Sequence, residues 1–287
     1  MTPKSHLFDL IQALSLPEKR YCSNYLKRHV KGKANRMHAL FTLIDNQDSF
    51  DETALQTAFA KKFPSTKFVS TKHYLYKILL RALEAFHHDR SITQRLHSLL
   101  AQIDLLHQKG LHAQCLDLVK KGLKLAGKVD AHGLLLEFNR RKRRLIRSRI
   151  HPKLPANLQQ IAAEEAESLH SLQEENAIQD LHDALYVHLQ MYRRRAPDDP
   201  VRNAFDDHPL LQTANPPRSF FGKTGYFLSR SLHARLKQDL EATFQAHAAL
   251  VALWDAHPEQ VEADPGRYAR ILAAWLNSAY ISGKSED

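Results

Sequence analysis

Apolar residues recur at spacings of three and four along almost the whole chain, the period of an amphipathic helix. Ser15, Leu16, Pro17 and Glu18 read as a helix start. Ser15 can cap an amide, Pro17 suits the first turn, and Glu18 is placed to reach back in a capping box. The helix that follows carries Tyr21, Tyr25 and Leu26 and runs to about His29, where Lys31, Gly32 and Lys33 end it. The next segment has Met37, Leu40, Phe41 and Ile44 on one face. Asp51 then caps a helix bearing Leu55, Ala58 and Phe59, which Phe63, Pro64 and Ser65 break. Another begins near Ser70 and shows Tyr74, Leu75, Ile78, Leu79, Leu83 and Phe86.

The clearest unit is a helical hairpin over residues 92–126. Ser91 caps its first helix, whose stripe is Leu96, Leu99, Leu100, Ile103 and Leu106. Gly110 supplies the left-handed residue that ends it. The second helix carries Leu111, Cys115, Leu118, Val119 and Leu123. Gly127 and Gly133 bracket a short connection to a helix with Leu134, Leu135, Phe138, Leu145 and Ile146, which Pro152 and Pro155 stop. Residues 157–195 are helical by pattern throughout. A break is expected near Glu174, Glu175 and Asn176, because so long a stretch exceeds the usual globular helix.

Residues 196–219, with five prolines, form the longest irregular stretch. Helices follow near 224–235, through Leu240, Phe244, Ala248, Val251 and Trp254, and from about Pro265 through Tyr268, Ile271, Leu272, Trp275, Leu276 and Tyr280. Pro258 and Pro265 flank a short turn between the last two. The pattern divides the chain into 1–90, an N-terminal helical region; 91–195, repeat-like hairpins; 196–219, the Pro-rich loop; and 220–287, a hairpin plus a last helix. That last helix is apolar enough to need a mate, and helical arrays normally end in a polar cap. The expectation is a partial chain, or a helix that packs on another molecule.

Composition supports the helical reading. Hydrophobic residues are 43% of the chain, enough for a sizeable core, and there are only 9 glycines among 287 residues. The fold class is all-α. Two cysteines far apart give no disulfide framework and fit a reducing cytoplasm. No apolar run is long enough to span a membrane. Charge is distributed unevenly: residues 1–155 carry +17 and residues 156–287 carry −7. Two solvated faces, or an anionic partner on the first half, both account for that.

Residues 94–126 resemble a degenerate tetratricopeptide repeat. Cys115 stands at the family's small residue early in its second helix, and Val119 and Gly122 at its later packing positions. Leu99, Ile103 and Leu106 form the first-helix seam, and Gly110 matches the turn. His112 replaces an aromatic, and the Trp-Leu-Gly start is absent. More widely, Phe8 to Ile11, Ser15 to Tyr21, Asn24-Tyr25, Lys72 to Tyr76 and Lys109 to Cys115 resemble a group of bacterial repeat-like helical proteins, commonest in the Bacteroidetes. The resemblance implies an irregular array of helical hairpins, an α-solenoid, with no known enzymatic activity, and it transfers no catalytic residue.

Little in the chain promises chemistry. Phe221 to Gly225 invites a phosphate-loop reading, but Pro217 stands where the motif needs glycine, and no strand precedes it. A turn with Thr224 as helix cap is expected instead. His87-His88, His107 with His112, and His182 with His188 lack the i,i+4 spacing with a carboxylate that a zinc helix shows. No metal or cofactor is expected, and no catalytic residue is assigned. Cys115 lies on an apolar seam and reads as inert.

The strongest charged feature is the run Arg140, Arg141, Lys142, Arg143 and Arg144, followed by Arg147, Arg149 and Lys153. Arg141 or Lys142 must lie at the edge of the buried face, while Arg140, Arg143, Arg144 and Arg147 spread over the exposed side. The run either pairs with an acidic neighbour such as Glu164, Glu165 and Glu167, or contacts phosphates or an acidic protein. Arg193, Arg194 and Arg195 complement a helix C-terminus. Asp51 to Phe59 with Ser70 to Phe86 also permits a helix-turn-helix that exposes Lys72, His73, Lys77 and Arg81.

The leading expectation is a non-catalytic cytoplasmic scaffold that binds a protein or peptide. In the clearest hairpin, His97, Asp104, His107 and Gln108 would face the groove by analogy with repeat geometry. The alternative is a nucleic-acid or acidic-partner binder using Arg140, Arg143, Arg144, Arg147 and Arg149.

Overall fold

A computed structural model describes residues 5–29, 35–87, 91–148, 152–192, 199–212 and 216–284. Lys31, Gly32, Lys33, His88, Arg149, Arg193, Arg194 and Arg195, singled out above, lie outside the described residues. The protein is all-helical, and no strand occurs among the described residues. Its α-helices are α1 (His6–Ala13), α2 (Leu16–His29), α3 (Arg36–Asp45), α4 (Glu52–Lys62), α5 (Phe68–His87), α6 (Ile92–Gln108), α7 (His112–Lys128), α8 (His132–Arg147), α9 (Leu154–Tyr192), α10 (Pro209–Gln212), α11 (Phe220–Leu236), α12 (Leu240–Asp255), α13 (Pro258–Ala263) and α14 (Pro265–Ile281). None of these helices is long and apolar enough to cross a membrane.

The chain forms two compact units, Met1–Gln94 and Arg95–Asp287, so the division falls in the first turn of α6. The first unit packs α2 on α5, α1 on α3, and α3 on α4 and α5. Its core joins Leu7 and Ile11 of α1, Cys22 and Leu26 of α2, the full α3 stripe of Met37, Leu40, Phe41 and Ile44, and Leu75, Ile78 and Leu79 of α5. Capping follows the sequence signals. Ser15 N–H donates to Glu18 at 2.8 Å, and Asp51 accepts from the Ala54 amide at 2.9 Å. Two details differ from the pattern. Tyr74 points outward, and the small residues Thr71 and Ala82 take buried places on α5. Lys72 is not free for a groove, because its ammonium meets Glu52 on α4 at 2.7 Å.

The second unit is built around α9. The expected break at 174–176 is absent: α9 runs unbroken for 39 residues. It has no internal glycine, and its one proline, Pro155, sits in the first turn, where a missing N–H costs nothing. Its N-terminal half faces α8, with Lys142 against Glu164 and Arg143 against Glu165. Its C-terminal half faces α11, with Leu181, Leu185 and Leu189 clustered on Leu232 and Leu236. Gly225 lets α11 approach closely, since a Cβ there would lie 2.7 Å from Ile178.

Two connections differ from the sequence reading. The left-handed residue between α7 and α8 is Asp130, with φ 53°, while Gly127 and Gly133 sit inside the flanking helices. The Asp130 carboxylate is tied down by the Phe220 amide at 2.5 Å and by His132 at 2.9 Å. The 196–219 stretch carries a 3-10 turn, Pro200–Asn203, and α10 among its described residues. Arg202 is buried there and donates to the Leu236 carbonyl at 2.5 Å. The segment Phe221 to Gly225 is helix rather than turn: Ser219 caps α11 through the Gly222 amide, and Thr224 is fully buried. The short turn expected between Pro258 and Pro265 is the helix α13. The last helix, α14, packs on α12 and α13, and still exposes 60% of Leu276 and 75% of Tyr280.

The α7–α8 contact sets a packing test. A Cβ on Gly122 would fall 2.1 Å from the Phe138 ring, whereas nothing lies within 4 Å of a Cβ on Gly127. Gly122→Ala should therefore destabilise the unit by about 1–3 kcal/mol through overpacking. Gly127→Ala should be neutral or stabilising by up to about 1 kcal/mol. Urea denaturation followed by far-UV circular dichroism distinguishes them, and equal midpoints for the two variants would contradict this packing.

Candidate functional site

The site grows from the α6–α7–α8 succession. α6 ends at Gly110, whose φ of 74° is the left-handed conformation that suits glycine. The Leu111 amide closes back on the Leu106 carbonyl at 3.0 Å. α7 then returns against α6: Cys115 is buried and its thiol reaches the Ile103 carbonyl at 3.6 Å. Burial pushes the Cys115 thiol pKa up, which suits packing rather than reactivity. α8 packs on α7 in turn, with Phe138 seated against Gly122.

This succession brings the C-terminal turns of α6 to the middle of α8. Arg141 grips Asp104 with both edges of its guanidinium, Nε to Oδ1 at 3.1 Å and Nη2 to Oδ2 at 2.7 Å. Its Nη1 bonds Glu137 one turn back at 2.8 Å. Arg144 adds a third bond to Asp104 at 3.1 Å, and Arg140 pairs with Glu137 at 2.8 Å. Such bidentate pairs are the strong form of the ion pair, because the fork fixes geometry as well as charge.

Of the groove candidates, Asp104, His107 and Gln108 share one concavity of about 410 Å³ with Arg140, Arg141 and Arg144. His97 is exposed on α6 two turns earlier and does not line it. The His107 and His112 rings meet edge-on at 5.3 Å, and both Nδ1 atoms are buried without a partner. Asp104 is drawn onto α8 rather than standing clear as a groove residue.

The arginine run does not spread as one exposed face. Arg143 is half-buried and turns to Glu165, while Lys142 reaches Glu164 at 3.4 Å. Arg140, Arg144 and Arg147 are exposed, and Arg147 has no ion pair among the described residues. Sequence reasoning missed Arg141 as the centre of the network and Glu137 as its second partner. Their i,i+4 spacing was the available signal. The bond to Asp104 spans 37 residues and had none.

The charges tune one another. Hydrogen bonding from Arg141, aided by Arg144, holds the Asp104 carboxyl below the usual range against the opposing effect of burial. Arg141 does the same to Glu137, and Asp104 in turn raises the guanidinium. A depressed carboxylate contributes stability that is fully present above its unfolded value of 3.8 and is lost as pH falls through the folded one. Asp104 is 40% exposed, so solvent screening limits the contribution to about 1 kcal/mol. Asp104→Asn should cost about that at pH 7, less in high salt, and nothing once the native carboxyl is protonated. Urea titrations at pH 7 and pH 2.5 check this; an undiminished penalty at the lower pH would contradict the ion-pair account.

No group of three or more His, Cys, Asp or Glu side chains that could hold a metal occurs among the described residues. Comparison with protein-family models, with curated proteins and with solved structures finds no match to this chain.

Proposed function

We propose that this protein is a non-catalytic interaction scaffold of the tetratricopeptide-like kind, and that it takes an acidic segment of a protein partner in the concavity between α6 and α8. The observation that carries this reading is the shared cavity of Asp104, His107 and Gln108 with Arg140, Arg141 and Arg144. α6 and α8 are the leading helices of successive hairpins, the position from which stacked hairpins line a groove. Among the described residues, the three guanidinium groups there pair with Asp104 and Glu137, leaving a positive excess at the exposed edge.

A nucleic acid is the weaker alternative. Arg140, Arg141, Lys142, Arg143 and Arg144 each already bond a carboxylate of this chain. A duplex needs a run of cations at once, and Lys142 and Arg143 are turned onto α9 outside the concavity, whereas a short acidic segment needs only the exposed edges of Arg140 and Arg144. Two buried cysteines without a disulfide accord with the cytoplasmic location we assign.

The test is binding of a labelled glutamate-rich peptide and of a labelled DNA duplex at low salt. The scaffold reading predicts saturable peptide binding that weakens with salt and falls at least tenfold in Arg140→Glu/Arg144→Glu, with unchanged far-UV circular dichroism. Duplex binding tighter than peptide binding would move the assignment to nucleic acid. No peptide binding at about 50 mM salt would reject the concavity as a docking site.

A further inference from the structure

The cations of α8 are largely taken up by carboxylates of the chain; those of α5 are not. α5 packs inward through Thr71, Leu75, Ile78, Leu79 and Ala82, which leaves its opposite face open. Ser70, His73, Tyr74, Lys77 and Arg81 are all exposed there. Their spacings of three and four place them on one stripe. The ion pairs among this unit's described residues join Lys19 to Asp45, Lys72 to Glu52 and His87 to Glu18, and none of them takes Lys77 or Arg81. Like charges four apart on a helix repel and weaken it. Glu84, the sole acidic residue of α5, is exposed and pairs with neither.

The charge continues onto the preceding helix end and turn. Lys61 and Lys62 close α4, Lys67 immediately precedes α5, and all three are exposed without an ion pair among the described residues. Lys61 and Lys62 suit the negative end of their own helix dipole. Lys67 does the opposite. Its carbonyl accepts from the Thr71 amide at 3.1 Å, so it sits at the N-terminus of α5, where the dipole disfavours a cation. No carboxylate among the described residues offsets either the Lys67 placement or the Lys77–Arg81 repulsion. A polyanion outside the chain would offset both, and Ser70, His73 and Tyr74 add hydrogen-bonding groups between the cations.

We propose that the exposed stripe of α5 binds duplex DNA in the major groove, with Lys61, Lys62 and Lys67 on flanking phosphates. An α-helix with its side chains is about 10–12 Å across and the groove about 12 Å wide, so the stripe can reach base edges. Cations then fix position on the phosphates, and the short polar side chains meet the bases. The site shares no residue with the α6–α8 concavity, so it stands whether or not that concavity binds an acidic segment.

Fluorescence anisotropy of a short labelled duplex, titrated with the full chain, tests this. Binding should saturate at about 50 mM salt and weaken with a log–log salt slope of about −3 to −4.5, for roughly three to five phosphates neutralised. Lys77→Ala/Arg81→Ala should lower affinity about tenfold or more and make the slope shallower by about 2. Alanine favours the helix, circular dichroism checks the fold, and the salt slope of the unsubstituted chain needs no variant. Arg140→Glu/Arg144→Glu should leave duplex binding little changed while it removes peptide binding, so the two readings fail separately. The duplex arm of the α6–α8 test is accordingly read in the Lys77→Ala/Arg81→Ala background. A duplex whose cytosines carry a glucosylated hydroxymethyl group, which fills the major groove, should bind several-fold weaker. No duplex binding at about 50 mM salt, unchanged binding in Lys77→Ala/Arg81→Ala, a larger loss in Arg140→Glu/Arg144→Glu, equal binding of the filled duplex, or tighter binding of the single strand would overturn the proposal.

Discussion

A helix of 39 residues without an internal glycine or proline must bury one face along its length or waste it on solvent. At 1.5 Å per residue α9 spans roughly 58 Å, far more than any one neighbouring helix of this unit covers. The chain meets that constraint by giving α9 two partners in succession. α8 takes the first half, through Glu164 and Glu165, and α11 takes the second, through Ile178 and the Leu181, Leu185 and Leu189 ridge. The α6–α8 concavity lies on an element that α9 positions. α8 presents Arg140, Arg141 and Arg144 to α6 while its other edge is pinned to α9.

Much of this was legible wherever a local signal sufficed. The α3 stripe, the Asp51 cap, the Ser15–Glu18 box and the left-handed Gly110 each follow from residues a few positions apart, and local sterics and hydrogen bonding settle them. What failed was decided by distant packing. Length alone argued for a break at Glu174 to Asn176, but continuous burial against two partners outweighed it. Thr224 looked like a cap because glycines flank it. Those glycines instead permit close approach, Gly222 beside Pro217 and Gly225 beside Ile178, and so lie inside the helix. Tyr74 fits the apolar period yet is exposed, while the small residues Thr71 and Ala82 take the buried places on α5; Leu111 and Leu240, at the starts of their helices, are exposed too.

The arginine run shows the same division. Its density was visible, and so was an acidic segment some twenty residues later, which supplies the partners of Lys142 and Arg143. The partner of Arg141 was not, since Asp104 reaches it only after α7 has folded back between them. A run of five cations thereby becomes a set of internal braces with a positive edge. His97, on the same face of α6 but two turns away, shows that sharing a helix face does not place a residue in the concavity.

The account depends most on α9 being one uninterrupted element. Native-state hydrogen exchange at the amides of Glu174, Glu175 and Asn176 tests this most directly. The account predicts protection comparable to that of Ile161 and Leu185 on either side, because all belong to one cooperative helix. Exchange of those three amides at the rate of an unstructured chain, with protection kept on both flanks, would mean that α9 is two helices and would remove the element on which the second unit is built.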